Sequence, residues 1–258
     1  MRALISNDDG IHSPGLAALE RAARAAGLET YVVAPDREQS ASSHALTMHR
    51  PLRVRAVGDR QWTVDGTPTD CVNLAICSIL KKTPPDFVLS GINAGPNLGD
   101  DVTYSGTVAC AFEGTLLGVP SIAFSLDTWQ DPGRSEPDFT VAESAAGAVI
   151  ELALESPPAG DTLWNVNVPP SPAKGYRVTR MGRRRYGENI IEKIDPRGRP
   201  YFWIGGIHVD TPSEGTDLTA VAAGYVSITP LHLDLTDYRA LADLEKLAGR
   251  LPPPGRPR

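Results

Sequence analysis

Short apolar segments alternate with helical segments through the first part of the chain, and this order constrains the fold more than any other feature. The first apolar run, Arg2–Ser6, begins almost at the N-terminus and is typical of a buried parallel strand. Ser13 and Pro14 then indicate a helix start, with serine as N-cap and proline at the first helical position, and Gly27 indicates the helix end. A second strand follows at 30–34, so the chain opens with a βαβ unit.

The same alternation continues along the chain, where a capping-box pattern at Thr67–Asp70 opens another helix. The further predicted strands are 53–57 and 61–64, which form a hairpin, 87–90, 121–125 and 163–168; the further predicted helices are 67–81, 107–117 and 140–154; surface loops are predicted at 91–106 and 126–138. Strands that alternate with helices in this way predict an α/β fold with a Rossmann-like, doubly wound, mostly parallel sheet.

The composition changes after residue 170, where alternating and aromatic segments replace the helical pattern. Turn signals at Asp195–Pro196 and Gly205–Gly206 predict extended β-hairpins between residues 176 and 209. A strand at about 225–230 is predicted to return to the core, and a last helix at 238–247 follows it. The predicted division is therefore a Rossmann-like catalytic core at 1–170, a hairpin and C-terminal extension for oligomerisation at 171–250, and a disordered tail at 251–258.

The charge and the cysteines narrow the classes of function. The net charge is −6 and the pI is near 5.4, which disfavours a binder of duplex nucleic acid because such proteins present a basic surface. The three cysteines match no zinc-binding spacing, so we expect them reduced in or near the core. No apolar stretch approaches the ~20 residues that span a bilayer, and Asp8 and Asp9 interrupt the first apolar run. We therefore expect no membrane association and a cytoplasmic location.

Two adjacent carboxylates follow the first strand, in the segment Asn7–Gly10. Neighbouring carboxylates repel each other unless a positive charge lies close to both. Mg²⁺ or Mn²⁺ would supply that charge, and carboxylate and amide oxygens suit such hard cations. The competing interpretation is a turn with a helix cap, since Asn, Asp and Gly all favour turns. This segment alone leaves both interpretations open.

A second polar cluster follows the second strand, from Asp36 to His44. It offers an arginine, serine hydroxyls at Ser40 and Ser43, and a histidine. In an open α/β sheet, ligands lie beyond the carboxyl ends of the strands, which puts this cluster near the first one. On its own the run is more typical of a solvated loop than of a binding site.

The third cluster is a loop rich in Gly, Asn and Asp at 91–106, which leads into a helix. Its glycines allow the backbone to approach a ligand closely. Ser105, Gly106 and Thr107 open the helix, where free N–H groups and the positive end of the helix dipole favour an anion. An ordinary N-cap is the alternative. We favour an anion site, because a long loop inside a compact domain is usually functional or disordered.

The three clusters together indicate one class of reaction. They provide carboxylates for a metal ion, a loop of hydroxyl groups and a helix N-terminus for phosphate. Metal-assisted transfer of a phosphoryl group to water is the chemistry that uses all three.

Seven segments, in order along nearly the whole chain, resemble the signature segments of the SurE (survival protein E) family. They are Ser-Asn-Asp-Asp-Gly at 6–10, Val-Ala-Pro-Asp-Arg at 33–37, Gly-Thr-Pro-Thr-Asp-Cys-Val at 66–72, Ser-Gly-Ile-Asn-Ala-Gly-Pro-Asn-Leu-Gly at 90–99, Tyr-Ser-Gly-Thr-Val at 104–108, Asn-Val-Asn-Val-Pro at 165–169 and Gly-Tyr-Val-Ser-Ile-Thr-Pro-Leu at 224–231. Chance does not explain agreement over so many ordered segments.

The resemblance implies a Rossmann-like 5′/3′-nucleotidase that hydrolyses nucleoside monophosphates and, in some members, short polyphosphate. It also implies one divalent metal ion per subunit, Mn²⁺ or Mg²⁺, and a homodimer or homotetramer with an exchanged C-terminal segment. By matching motif position, the implied metal ligands are Asp8, Asp9, Ser40 and Asn93; the implied catalytic residues are Asp8, Asp9 and Asn93; the implied phosphate and substrate residues are Asn97, Ser105, Gly106, Thr107, Ser43 and His44.

Our mechanistic hypothesis is that a metal-activated water attacks phosphorus in line, with Asp8 as the proton acceptor. A covalent aspartyl-phosphate remains the competing route. His44 is a candidate acid for the leaving oxygen, against the alternative of a surface histidine. The run Arg183–Arg185 is interpreted as a solvated hairpin face or an interface border rather than a site for polyphosphate.

The sequence also bears on two other classes of function. A non-catalytic sensor of nucleotide or metal could use the same fold, because fold does not determine function. A NAD-dependent oxidoreductase is disfavoured, because Asn7–Gly10 occupies the place of the Gly-x-Gly-x-x-Gly turn.

Overall fold

The computed structural model describes residues 1–128, 137–186, 190–204, 208–211 and 213–251. The strands are β1 (Arg2–Ser6), β2 (Glu29–Pro35), β3 (Val54–Gly58), β4 (Gln61–Val64), β5 (Phe87–Ala94), β6 (Ser121–Leu126), β7 (Thr162–Val168), β8 (Tyr176–Val178), β9 (Arg183–Tyr186), β10 (Ile190–Ile194), β11 (Pro200–Ile204), β12 (His208–Thr211) and β13 (Val226–His232). The helices are α1 (Pro14–Ala25), α2 (Pro68–Leu74), α3 (Gly106–Leu116), α4 (Thr140–Glu155), α5 (Asp217–Ala222) and α6 (Tyr238–Ala248). A π-helical turn (Ala75–Ile79) continues α2, and a 3₁₀ turn (Gly99–Thr103) precedes α3.

The central sheet has nine strands in the order β3-β4-β2-β1-β5-β6-β7-β13-β8. Its pairings are parallel except for β3 with β4 and β7 with β13, which are antiparallel. Helices α1 and α4 pack together on one face, and α2 and α3 pack together on the other. The predicted α/β class with a doubly wound, mostly parallel sheet is therefore confirmed.

The position of β1 between two layers of helices explains why consecutive residues of this strand are apolar. Ala3 and Ile5 belong to the cluster that contains α1 and α4, whereas Leu4 belongs to the cluster under α2. A parallel strand covered by helices on both faces needs apolar side chains at consecutive positions. The core of the molecule therefore lies in two layers on either side of the sheet.

Local capping signals determine where several helices begin. The side chain of Thr67 accepts a hydrogen bond from the N–H of Asp70 (3.1 Å), and Asp70 accepts one from the N–H of Thr67 (2.8 Å), so the predicted capping box is confirmed. Ser105 caps α3 by accepting the N–H of Val108 at 3.0 Å. Ser13 occupies the N-cap position of α1 but makes no side-chain cap bond.

Strand β5 continues through Ala94, so the loop predicted from Gly91 begins later than expected. The pairing of β5 with β6 is irregular between Ser90 and Asn93. Gly91 has a φ of 122°, and a Cβ there would lie 2.3 Å from the carbonyl oxygen of Phe124. Only glycine fits this close approach. Because glycine is uncommon inside strands, its presence also prevents the end of β5 from being recognised in the sequence. Part of the predicted 126–138 loop lies outside the described residues.

The chain after β7 departs from the predicted series of hairpins. Strand β8 joins the central sheet as its edge strand, parallel to β13, and so is not part of a hairpin. Strand β9 pairs antiparallel with β12, and β10 pairs antiparallel with β11; these four strands form an arm (183–186, 190–204 and 208–211). Its turn at Asp195–Arg199 is present, whereas the predicted Gly205–Gly206 turn lies outside the described residues. Helix α5 is too short to give a periodic signal and was not predicted.

The structure corrects the prediction that Arg183–Arg185 is a solvated hairpin face. Arg183 is exposed, as expected for a solvated hairpin face, but Arg184 is 5% exposed. Arg184 forms a buried ion pair with Asp101 at 2.7 Å, and its backbone N–H donates to Asp100 at 2.8 Å. The arm is therefore anchored at its base on the 3₁₀ turn before α3.

The predicted strand at 225–230 is present as β13 and the predicted last helix as α6. None of the residues of α6 is buried. Within the described part of the chain, no helix is long and apolar enough to cross a membrane.

Candidate active site

A cleft of about 450 Å³ opens beyond the carboxyl ends of β1, β2 and β5. Because parallel strands end at one edge of the sheet, clusters that are far apart in sequence meet there. Six of the predicted site residues line the cleft: Asp8, Asp9, Ser40, Asn93, Asn97 and Ser105. Gly106 and Thr107 adjoin it at the N-terminus of α3 through their contacts with Asp8.

Asp8 lies between the end of β1 and the first turn of α3. It is 5% exposed, and its Oδ1 accepts a hydrogen bond from the hydroxyl of Thr107. Burial raises the pKa of Asp8 despite this bond and those from neighbouring backbone groups. A Cβ placed on Gly106 would lie 2.7 Å from Cβ of Asp8, so glycine is required for the helix to approach the carboxylate.

Asp9 is the more open of the two carboxylates. Burial, followed by the charge of Asp8, raises the pKa of Asp9 to about 6; the charge of Glu38 adds a smaller increase. The N–H of Ala94 donates to Asp9 at 3.4 Å and partly offsets these effects. Two acidic groups held together with raised pKa values fit a site that receives a cation.

The donor set of the cleft fits a hard divalent cation. The Nδ2 of Asn93 donates to the carbonyl of Gly95 at 2.8 Å, which leaves its Oδ1 as the free acceptor of the amide. The hydroxyl of Ser40 donates to Glu38 at 2.6 Å, which leaves lone pairs on its oxygen. Two carboxylates with an amide oxygen and a hydroxyl oxygen form an all-oxygen set of the kind that Mg²⁺ and Mn²⁺ prefer. No group of three His, Cys, Asp or Glu side chains suited to a metal occurs in the described ranges.

The N-terminus of α3 forms the other wall of the cleft. The hydroxyls of Ser105 and Thr107 are already engaged, with the N–H of Val108 and the carboxylate of Asp8 respectively. The backbone N–H groups of Gly106 and Thr107 bond to the carboxylate of Asp8, so the first turn of this helix already holds an anionic group. The N–H groups of a first helical turn, with the positive end of the dipole, favour an anion such as phosphate. The cleft therefore contains groups that suit an anion beside groups that suit a cation.

The chain matches a known family of proteins over most of its length. The family model described as Survival protein SurE matches residues 3–188. The chain belongs to the SurE family. The prediction of that family from seven short segments is confirmed.

Close SurE relatives extend over nearly the whole chain. A protein named 5′-nucleotidase SurE from Geotalea uraniireducens (strain Rf4) is 52% identical over 250 residues, covering 95% of this chain and 98% of that protein. Another of the same name from Geobacter sulfurreducens is 49% identical, covering 100% of this chain and 98% of that protein. The crystal structure of the SurE protein from Aquifex aeolicus has a TM-score of 0.83 and 44% identity, covering 96% of this chain and 100% of that one.

Two residues predicted for the SurE site lie outside the set that lines the cleft. The hydroxyl of Ser43 donates to the carbonyl of Thr103 at 2.8 Å. The Nε2 of His44 lies 2.8 Å from Oε2 of Glu113, and the ring stacks on Phe112. Burial raises the pKa of Glu113, but the hydrogen bonds from His44 and Asn73 outweigh it and leave that pKa lowered.

Glu113 lies two turns along α3 from Gly106, about 10 Å at 1.5 Å per residue. The Nε2 of His44 is therefore bound away from the N-terminus of the helix, where the anion would lie. This geometry favours the alternative of a structural histidine over an acid for the leaving oxygen.

Buried asparagines hold the loop at Asn97 from behind, a role that was not predicted from the sequence. Asn165 and Asn167, on β7, each donate to the carbonyl of Asn97, at 2.8 and 3.0 Å. The Oδ1 of Asn167 accepts the N–H of Asn97 at 2.8 Å, and the Nδ2 of Asn97 donates to Ser125 at 2.8 Å. The sequence signal was present as the Asn-Val-Asn-Val-Pro segment, in which polar residues interrupt an apolar strand.

Asp217, at the start of α5, also lacked an assigned role. It is fully buried and accepts the N–H groups of Gly99 at 2.8 Å and Gly182 at 2.7 Å. Burial raises the pKa of Asp217, against the opposing effect of these hydrogen bonds. The C-terminal region therefore supports the loop that lines the cleft, and no local sequence pattern could reveal that contact.

Proposed function

We propose that this chain is a divalent-metal-dependent 5′-nucleotidase that hydrolyses nucleoside monophosphates to nucleoside and phosphate. The observation that carries the proposal is the pair Asp8 and Asp9, with raised pKa values, beside the N-terminus of α3. Relatives about 50% identical over nearly the full length are named 5′-nucleotidases, which are phosphomonoesterases. The predicted enzyme class is that of these relatives.

The proposed metal site consists of Asp8, Asp9, Ser40 and Asn93, which would hold one Mn²⁺ or Mg²⁺ ion. When bound, the ion supplies Lewis acidity that polarises the phosphoryl group and lowers the pKa of a water molecule. The oxygen-only donor set and the mutual repulsion of the two carboxylates support this assignment.

The remaining site residues bind and orient the substrate in the proposed mechanism. The N-terminus of α3, whose N–H groups at Gly106 and Thr107 bond to the carboxylate of Asp8 in this structure, binds phosphate oxygens in the proposed complex and stabilises the charge that develops on them. Asn97 and Ser105 form the adjoining wall. Asp8 accepts the proton of the attacking water, and its fixed position beside Thr107 supports this role. A covalent aspartyl-phosphate is the competing route, and trapping of a phosphoenzyme would favour it.

We include 3′-nucleotides and short polyphosphate in the proposed substrate range. The cleft is open to solvent, and this supports a range wider than one class of phosphate ester. The alternative function is that of a non-catalytic sensor of nucleotide or metal. The cytoplasmic location of the protein remains a prediction from the sequence.

The proposed assembly is a homodimer or homotetramer in which subunits exchange the C-terminal segment. Helix α6 has 11 residues, about 16 Å, and its apolar side chains are exposed. An apolar groove of about 740 Å³ runs along α3 from Ser105 to Leu116, also about 16 Å. Leu233 and Leu235, which line this groove, lead into α6. This match in length and polarity supports binding of α6 in the groove of a second copy.

The test of the proposed activity is phosphate release from a panel of nucleoside monophosphates with EDTA, Mn²⁺ or Mg²⁺. Wild type is compared with Asp9→Ala, and ribose 5-phosphate serves as a substrate without a base. Metal-dependent release that falls by a factor of about 10² or more in the variant supports the proposal. A folded wild type that binds metal and nucleotide but releases no phosphate with any ion would establish the sensor instead.

A further inference from the structure

Ser42 lies in a loop that is pinned at both ends beside the cleft. At one end, the N–H of Gln39 donates to the carbonyl of Asp8 at 2.8 Å. At the other, the N–H of Ser43 donates to the carbonyl of Tyr104 at 3.2 Å, and its hydroxyl donates to Thr103. The loop therefore spans from the carboxylates at the end of β1 to the residues just before α3.

The residues on either side of Ser42 have left-handed backbone conformations. Ala41 has a φ of 57° and Ser43 a φ of 55°. These values are uncommon for residues other than glycine and persist only where the surrounding structure compensates for them. The hydrogen bonds of Ser43 to Tyr104 and Thr103 hold the residue that follows Ser42.

The hydroxyl of Ser42 is buried and has no hydrogen-bond partner among the residues that the structure describes. A Cβ placed on Gly106 would lie 3.0 Å from this hydroxyl and 2.8 Å from Oδ2 of Asp8. The hydroxyl thus lies against the first residue of α3, beside the carboxylate. A buried polar group without a partner destabilises a protein, so this hydroxyl next to the start of α3 needs an explanation.

We propose that Ser42 is a phosphate-binding residue, whose hydroxyl donates a hydrogen bond to a phosphate oxygen held at the N-terminus of α3. The inference rests on the proposed function, since it adds a residue to that site. Phosphate oxygens accept hydrogen bonds, and a serine hydroxyl supplies the donor. In this assignment Ser42 takes the role expected of Ser43 and His44, because the hydroxyl of Ser43 and the Nε2 of His44 are bound elsewhere.

The test compares Ser42→Ala with Ser43→Ala, which removes a hydroxyl from the next residue. Three quantities are measured on the full chain: the melting temperature of the metal-free protein, Mn²⁺ affinity by calorimetry, and the inhibition constant of inorganic phosphate against a nucleoside monophosphate. For Ser42→Ala we expect an unchanged or raised melting temperature, unchanged Mn²⁺ affinity and about a tenfold rise in the inhibition constant. For Ser43→Ala we expect a lowered melting temperature and an inhibition constant within about threefold of wild type.

The opposite pattern overturns the inference. If Ser42→Ala lowers the melting temperature and leaves the inhibition constant unchanged, the hydroxyl is structural, with Asp8 as the nearest acceptor. If wild type releases no phosphate and does not bind it, the proposed function fails and this inference fails with it. An active wild type with an unaffected Ser42→Ala variant overturns the role of Ser42 alone.

Discussion

Asp8 and Asp9 are adjacent in sequence, but the fold gives them different surroundings. Asp8 is enclosed between β1 and α3 and bonded to Thr107, whereas Asp9 is partly open to the cleft. Burial is the largest cause of the raised pKa at both residues, and at Asp9 the charge of Asp8 is the second. In the proposed site this difference suits a proton acceptor that is held in place and a ligand that is accessible to a cation.

The raised pKa of Asp9 predicts that protons compete with the metal well above the ordinary range of a carboxyl. With a pKa of about 6, the group is about one-tenth ionised at pH 5 and almost fully ionised at pH 7.5. We expect Mn²⁺ to bind at least about tenfold more weakly at pH 5 than at pH 7.5, as measured by calorimetry. Asp9→Asn should bind more weakly at both values and lose the part of this pH dependence that Asp9 contributes, while the part that Asp8 contributes remains. An affinity for wild type that does not change with pH would contradict the prediction.

At the scale of elements, β7 carries two amides where the fold otherwise requires apolar side chains. Asn165 and Asn167 are fully buried, and a buried amide is costly unless it forms hydrogen bonds. Their bonds to Asn97 connect the strand to the loop that lines the cleft. Strand β7 therefore contributes both to the core and to the shape of the proposed phosphate site.

This connection predicts a graded effect of two substitutions. Asn167 makes two hydrogen bonds with Asn97 and Asn165 makes one, so Asn167→Ala should cost more than Asn165→Ala. We expect Asn167→Ala to lower unfolding free energy by about 1–3 kcal/mol and to lower kcat/KM about tenfold or more. The measurements are denaturant unfolding and steady-state kinetics at a temperature where every variant is folded.

A matched control lies on the neighbouring strand. The hydroxyl of Thr229, on β13, is buried and bonded to Thr179 at 2.7 Å. Thr229→Val should lower the stability by about 1 kcal/mol and leave kcat/KM unchanged. If both variants reduced activity in proportion to lost stability, the asparagines would have no specific effect on the site.

At the scale of the whole molecule, the C-terminal region both supports the cleft and leaves an apolar surface unburied. Asp217 and Arg184 fasten this region to the 3₁₀ turn before α3. Helix α6, in contrast, exposes Leu241, Leu244 and Leu247. Contiguous exposed apolar side chains on a helix support the proposed subunit exchange.

The proposed exchange predicts that charges on α6 separate the subunits. Burying one leucine contributes about 1.5–3 kcal/mol, so Leu241→Asp with Leu244→Asp should remove most of the apolar contribution of α6 to association. We expect light scattering at micromolar concentration to give a dimer or tetramer for wild type and a monomer for this variant. Glu245→Ala, on the same helix, should leave the mass unchanged. A monomeric wild type would contradict the proposed assembly.

The amino-acid sequence by itself determined the elements through β7, the family and the candidate residues of the cleft. Apolar runs, capping residues and turn residues act over a few neighbouring positions, so they can be recognised without the fold. The Thr67–Asp70 capping box and the strand Arg2–Ser6 are examples. The glycine at position 91 concealed the end of β5, because its role depends on a carbonyl from another strand.

Only the tertiary structure decided which side chains meet. It placed β8 at the edge of the central sheet, buried Arg184 against Asp101, and brought the asparagines of β7 to the loop at Asn97. It also turned Ser42, and not Ser43, toward the start of α3. These contacts join residues far apart along the chain or depend on the φ angles of a pinned loop. Their free energy comes from burial and hydrogen bonds that exist only when the whole sheet has formed, so no local pattern records them.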